Sequence, residues 1–309
     1  MEKKARLAVI GAGALAQHQH LPNIVRSKSA ELALICDTNQ DVLAALEKVY
    51  PGTAMTGDCS EVFRNPEIDG VVIATREDTH VPLTLDALRA GKHVYVEKPL
   101  AENPADCQAV VAAKRAAGRC VVVGMNRRCA PAYRLARELL DANGGARNLH
   151  YRIADAYSTT WGRRFGAGNR IVHELCHVFD VLRFLANSEV TEVLCRSGRP
   201  DDESILLVFR SGATATMLSS GHVSEETPKE HLDAVAGYGM LAVEEFVELR
   251  TFGMRGLPDG CRYFAGHCHP QHGSDHVEEF ARRGVDMFIP KTFATTAEDA
   301  RRIAEAGKK

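Results

Sequence analysis

Arg6-Leu7-Ala8-Val9-Ile10-Gly11-Ala12-Gly13-Ala14-Leu15-Ala16 is an apolar strand that runs into a glycine-rich turn and then opens a helix. That succession reads as a dinucleotide-binding turn. Gly11 permits the tight bend, Gly13 lets the backbone approach a pyrophosphate, and Ala16 stands where a small residue lets the helix pack on the strand. The helix begun by Ala14 and Leu15 aims its first N–H groups at the phosphates. A further strand, Glu31-Leu32-Ala33-Leu34-Ile35-Cys36, ends in Asp37, 26 positions after Gly11. A carboxylate there can hold an adenine ribose. It favours a free 2′-hydroxyl and repels a 2′-phosphate, and the following Thr38-Asn39 offers no cation to offset the repulsion, so NAD is expected over NADP. A turn-capping role for Asp37 is compatible with this one.

Downstream, apolar spacing predicts helices over Asp41–Val49, Thr79–Ala90 and Pro104–Ala117, the second stopped by Gly91. Uninterrupted apolar runs predict strands at Gly70–Ala74, His93–Val96 and Cys120–Val123, as suits a parallel sheet covered on both faces. His18 and His20 fall in the first helix region and read as surface or packing residues. Strand His93–Val96 delivers Glu97-Lys98-Pro99 at its carboxyl end, where open α/β sheets bind ligands.

A chain of 309 residues suffices for two domains, and its net charge of −2 gives no general attraction to nucleic acid or an anionic membrane. No apolar run approaches the roughly 18 residues of a membrane span. The start has no signal-peptide pattern, which leads to the expectation of a cytoplasmic protein. The nine cysteines are odd in number, scattered and without a CxxC pair, so reduced thiols are expected.

The ordered set Val9-Ile10-Gly11-Ala12-Gly13, Ile73-Ala74-Thr75 with His80, Ala90-Gly91-Lys92-His93-Val94-Tyr95-Val96-Glu97-Lys98-Pro99, and Asn126-Arg127-Arg128 with Pro131 resembles the Gfo/Idh/MocA oxidoreductases. Gly168 to Asp180 and Pro228-Lys229-Glu230 extend the resemblance, whereas Phe252 to Gly273 matches poorly. The resemblance implies an α/β protein with a Rossmann doubly wound parallel sheet over residues 1–125. It implies a C-terminal α+β domain over 126–309, built on a large, mostly antiparallel sheet, with closing helices that return toward the first domain. Strands are expected at Leu149–Ala154, Val190–Cys195, Ser204–Phe209, Ala213–Leu218, Leu232–Ala236 and Glu245–Leu249, and helices at Ile171–Leu185, Asp275–Arg283 and Thr295–Ala306. It also implies Thr75, His80, Glu97 and Lys98 at the cofactor, a polyol, cyclitol or sugar substrate, and a homodimer or homotetramer.

His173-Glu174-Leu175-Cys176-His177 formally matches the HExxH zinc-protease signature, which needs a further ligand and a different architecture. It reads better as a polar stripe: His173, His177 and Asp180 recur at spacings of four and three on one helix face, without a metal. The resemblance implies that His177 binds substrate and exchanges its proton. The family's usual acid four residues earlier is His173 here, and Glu174 resembles the acid of a family subset. Hydride transfer to or from a secondary alcohol requires a group that takes or gives the hydroxyl proton, and Lys98 with His177 can supply it. Trp161, Arg163 and Arg164, with Arg128, are candidate substrate contacts, an aromatic face suiting a sugar ring and arginines an anionic group. His267, Cys268, His269, His272 and His276 match no standard zinc spacing and read as a polar loop. The expected function is NAD-dependent dehydrogenation of a polyhydroxylated substrate; the alternative is a noncatalytic ligand sensor on the same fold.

Overall fold

The computed structural model describes residues 4–159 and 162–263. The chain divides between Met125 and Asn126 into two compact units.

The first unit is a parallel sheet of β1 (Ala5–Ile10), β2 (Ala30–Cys36), β3 (Ala54–Thr56), β4 (Gly70–Ile73), β5 (His93–Val96) and β6 (Val121–Val123). The strands lie in the order β3-β2-β1-β4-β5-β6, the doubly wound order of a Rossmann domain. Connections run through α1 (Leu21–Arg26), α2 (Gln40–Val49), α3 (Cys59–Arg64), α4 (Glu77–Arg89) and α5 (Pro104–Ala117). Alternate residues of the central strands enter different cores. Ala8, Ile10, Val71 and Ile73 join one apolar cluster, while Val9 and Val72 join another, so both faces are covered. Asn39, Asp58 and Asn103 each accept hydrogen bonds from N–H groups in the first turn of the helix they cap. Because β1 and β4 are neighbours whose connections leave in opposite directions, their carboxyl ends open a crevice.

The second unit contains α6 (Pro131–Ala142), β7 (Asn148–Ala154), the single turn α7 (Gly162–Phe165) and α8 (Cys176–Ala186). Then follow β8 (Val190–Arg199), β9 (Asp202–Phe209), β10 (Thr214–Ser220), β11 (Glu230–Ala236), β12 (Gly239–Glu244), β13 (Glu248–Phe252) and β14 (Gly260–Tyr263). The sheet order is β14-β13-β12-β11-β7-β10-β9-β8, and of its pairings β7 with β10 is parallel and the others are antiparallel. Alternation places Leu232, Ala234 and Ala236 inside, with His231, Asp233 and Val235 on the other face. The inner face packs on Tyr133, Ala136 and Leu140 of α6 and on Val178, Leu182 and Leu185 of α8. Full burial of each large aliphatic side chain there contributes about 1.5–3 kcal/mol.

Two expectations need correction. Ile171–Leu185 is not one regular helix: Ile171–Leu175 forms a wide turn of the i→i+5 kind, and α8 begins at Cys176. Glu245–Leu249 is not one strand: Glu245 and Phe246 take φ of +50° and +65°, so the chain reverses there and joins β12 to β13. The apolar Phe246-Val247 imitates a strand, but Phe246 packs beneath α6, with its ring 5.3 Å from that of Tyr133. The expected helices Asp275–Arg283 and Thr295–Ala306, the stretch His267–His276 and Trp161 lie outside the described residues. Among the described residues no helix is long and apolar enough to cross a membrane.

Candidate active site

In the first unit the opening turn is built as its sequence implies. Gly11 has φ +89°, and a Cβ there would stand 2.7 Å from the carbonyl oxygen of Ala74, so the fold itself demands glycine. Gly13 is different: a Cβ there would meet no described atom within 4 Å. Its glycine is therefore not a requirement of internal packing, and a surface free of Cβ is what close approach of a pyrophosphate needs. Gly13, Ala14 and Leu15 are exposed at the helix start, while Ala16 is fully buried against the sheet. Asp37 is tied to this turn, its Oδ2 accepting the Ala12 N–H at 2.7 Å and its Oδ1 the Asn39 N–H at 2.9 Å. It thus serves the next turn as well, and its carboxylate keeps further lone pairs for a ribose diol. These residues fit a dinucleotide.

The segment after β5 is held from two sides. Glu97 Oε1 lies 2.9 Å from His20 Nε2, and Glu97 Oε2 accepts the Lys98 N–H at 3.3 Å. Burial pushes the Glu97 carboxyl up, but the hydrogen bond and charge of His20, with the Lys98 amide and charge, outweigh it and hold the group below its ordinary value. Gly124 makes room for this cluster, since a Cβ there would stand 2.9 Å from the Tyr95 hydroxyl. On the other side His80, 1% exposed, donates from Nδ1 to the carbonyl of Pro99 at 2.7 Å, and its Nε2 lies 3.3 Å from the carbonyl of Thr75. Expected at the cofactor, His80 is buried and joins Thr75, just past β4, to Pro99, which follows Lys98 through a cis peptide. Lys98 is half-buried at the carboxyl end of the sheet.

In the second unit His173 and His177 are 8% and 7% exposed, on the wide turn and the first turn of α8. Wide turns of this kind occur disproportionately at functional sites. Asp180, read as part of the same stripe, is committed to Arg128, whose Nε donates to it at 2.7 Å and whose Nη2 binds its second oxygen. Arg163 and Arg164 are exposed on α7.

Glu174 anchors a buried ionic chain. It accepts from Arg127 Nη2 at 3.0 Å and pairs with Lys229 Nζ at 2.7 Å, and Lys229 also pairs with Asp155 at 3.2 Å. Arg127 forks onto Glu230, which also accepts from the Tyr151 hydroxyl, itself 2.8 Å from that of Tyr133. Arg170, fully buried, continues the chain from Asp155 to Ser219, and Ser219 donates to Glu203 at 2.8 Å. Burial alone would lower the Lys229 ammonium; Glu174, Glu230 and Asp155 outweigh it and hold it above its ordinary value. Burial raises the Glu203 and Glu245 carboxyls. Among the described residues no group of three or more His, Cys, Asp and Glu could hold a metal ion.

Sequence reasoning missed His20 as the partner of Glu97 and missed the Arg127–Glu230 pair. The signal available for the second was Arg127 beside Arg128 and Lys229-Glu230 after Pro228: charged residues flanking apolar strands, which must be paired if the strands bury them.

Residues 5–125 match the family model of the Gfo/Idh/MocA group, described as an oxidoreductase family with an NAD-binding Rossmann fold. The chain is 29% identical over 269 residues to a 1-carboxy-3-chloro-3,4-dihydroxycyclohexa-1,5-diene dehydrogenase of Comamonas testosteroni, covering 81% of this chain and 65% of the relative. It is 32% identical over 186 residues to an inositol 2-dehydrogenase of Gluconacetobacter diazotrophicus, covering 59% of this chain and 55% of the relative. The chain thus spans less than two thirds of the length of either. An oxidoreductase domain protein of Kribbella flavida shares the fold, with a TM-score of 0.73 at 21% identity over 85% of this chain and 80% of that one.

Proposed function

We propose that the chain is an oxidoreductase of the Gfo/Idh/MocA kind, as the match of residues 5–125 supports, and that it transfers a hydride between a nicotinamide cofactor and a secondary alcohol or ketone. The substrate is a sugar, a cyclitol or a sugar derivative. The names of the two relatives, both dehydrogenases of hydroxylated six-membered rings, favour the cyclitol end of that range. The observation that carries the reading is the opening turn, where Gly11 is imposed by the fold and Gly13 is not.

Gly13, Ala14 and Leu15 receive the pyrophosphate on backbone N–H groups, and Asp37 holds the adenine ribose. Asp37 makes NAD the preferred cofactor over NADP. Thr75, His80 and Glu97 complete the cofactor side, His80 and Glu97 by fixing the peptide that carries Lys98. Bound nicotinamide would supply the hydride acceptor or donor. Lys98 takes or gives the hydroxyl proton at the reacting oxygen, and His177 shares that transfer. His173 and Glu174 orient substrate hydroxyls, with Arg128, Trp161 and Arg164 as further contacts. We place the enzyme in the cytoplasm, and as a homodimer or homotetramer; exposed apolar side chains on the second sheet support the oligomer, Leu194, Leu218 and Phe252 being about half exposed.

Titration with NADH and NADPH, followed by a screen of inositols and aldoses for a change in nicotinamide absorbance, tests this. NADH binding with turnover is the expected result. NADH binding with no turnover of any polyol would favour the noncatalytic sensor, and binding of neither cofactor would overturn the reading of the turn.

A further inference from the structure

At the carboxyl end of α8, a surface cavity of about 440 Å³ is lined by Arg128, Arg137, Arg183 and Arg210, with Phe184 and Glu189 among them. It lies at the opposite end of the helix from His177, seven residues and so about 10 Å of helix rise from Phe184. Four arginines and one glutamate are among the lining residues, and Asp180 and Asp141 stand behind two of the arginines.

The arginines are held in place by the protein itself. Arg128 and Arg137 approach the Phe184 ring at 5.7 and 5.3 Å. Arg128 is braced by Asp180, and Arg137 donates to Asp141 at 2.8 Å and to the carbonyl of Phe184. Arg183 makes two bonds to Glu189, at 3.1 and 2.6 Å. Arg210 is exposed, and among the described residues its guanidinium has no hydrogen-bond partner, although its charge is felt by Glu189. A positive cluster at a helix carboxyl end is partly explained by the helix dipole and its last carbonyls. That explanation uses Arg137, which binds the Phe184 carbonyl, and Arg183, which stands in the last turn. It leaves the Arg210 guanidinium unused: Arg210 follows β9, and its backbone N–H, not its side chain, binds the carbonyl of Glu189 at 2.8 Å. With Arg128, Arg137 and Arg183 each matched by a carboxylate, the Arg210 guanidinium is the positive charge left over at this concave surface, and planar guanidinium forks match phosphate and carboxylate oxygens.

We propose that this cavity binds a small organic or inorganic oxyanion carrying two or more negative charges, at a place distinct from the dinucleotide turn. Arg210 and the outer N–H groups of Arg183 supply the direct contacts. The pairing acids behind them hold the forks in position, which lowers the entropy lost on binding. The proposal stands on the second unit alone and does not depend on the dehydrogenase reading.

Calorimetric titration of the whole protein at fixed ionic strength, with inorganic pyrophosphate in one arm and citrate in the other, tests it. Each arm is repeated with NADH present, because NADH competes for any phosphate site at the glycine turn. Saturable uptake of at least one probe is expected, unchanged by NADH and weakened tenfold or more by Arg210→Ala. That substitution removes no bond of the fold, so the melting temperature should be unaltered. Uptake of pyrophosphate alone would identify a phosphoryl ligand, and uptake of citrate alone a polycarboxylate. No saturable uptake of either probe, uptake abolished by NADH, or uptake unaffected by Arg210→Ala would overturn the proposal.

Discussion

His80 Nδ1 donates to the carbonyl oxygen of Pro99 at 2.7 Å, so a buried side chain of α4 holds Pro99, the residue that follows Lys98. Displacing a catalytic group by about 1 Å can cost about 10²-fold in rate. His80→Ala should therefore lower kcat by about tenfold or more, and should cost stability of about 1–3 kcal/mol through the unpaired carbonyl. His80→Asn, which keeps a side-chain N–H, should lose less. Steady-state kinetics beside thermal melts check this; equal kcat for wild type and His80→Ala would show that the clamp does not position Lys98.

Asp37 accepts the Ala12 N–H within the glycine turn, which places a negative charge beside the backbone proposed to receive the pyrophosphate. Asp37→Ser should reduce the preference for NADH over NADPH by about tenfold or more, roughly 1.4 kcal/mol of discrimination. Paired fluorescence titrations of the two cofactors measure it. An unchanged ratio would leave Asp37 with only its structural bonds to the Ala12 and Asn39 N–H groups.

Arg127 and Glu230 are 7% and 2% exposed in their side chains. Removal of one partner from a buried pair leaves the other charge uncompensated, at a cost of about 3–5 kcal/mol. Arg127→Leu should show that loss in a denaturant melt. Replacing both residues with apolar ones of similar size should restore much of it.

His231 lies between Glu244, which its Nδ1 meets at 2.5 Å, and Asp233, at 3.1 Å from its Nε2. Burial alone would lower the imidazole; the hydrogen bonds and charges of these two carboxylates outweigh it and raise the pKa above its ordinary value. A raised folded-state pKa stabilises the fold fully below the unfolded value, near about 6.5, and the contribution is lost as pH rises through the folded value. The melting temperature of wild type minus that of His231→Gln should therefore be larger at acidic pH and shrink on the alkaline side. A difference that is flat with pH would contradict the assignment.

Much of the first unit was legible because local chemistry and global fold agree there. The run Val71-Val72-Ile73 is buried on both faces, Pro104 opens its helix behind the Asn103 cap, and Gly11 is forced by the Ala74 carbonyl. The second unit was legible in its strands and less so in its corners. Glu245 and Phe246 turn the chain with positive φ and no glycine, a state imposed by packing of Phe246 rather than by propensity. The wide turn at Ile171–Leu175 leaves no mark in apolar spacing. The ionic chain from Glu230 to Glu203 depends on contacts between residues far apart in sequence, which periodicity does not register.

On the proposed reading, Lys98 moves the hydroxyl proton in a nicotinamide-dependent oxidation. The direct measurement is single-turnover reduction of NAD by an inositol or aldose, in wild type and in Lys98→Met, with NADH affinity determined on the same samples. Lys98→Met is expected to bind NADH comparably and to reduce NAD more slowly by a factor of about 10²–10⁴. A Lys98→Met protein that binds NADH and reduces NAD at the wild-type rate would contradict it.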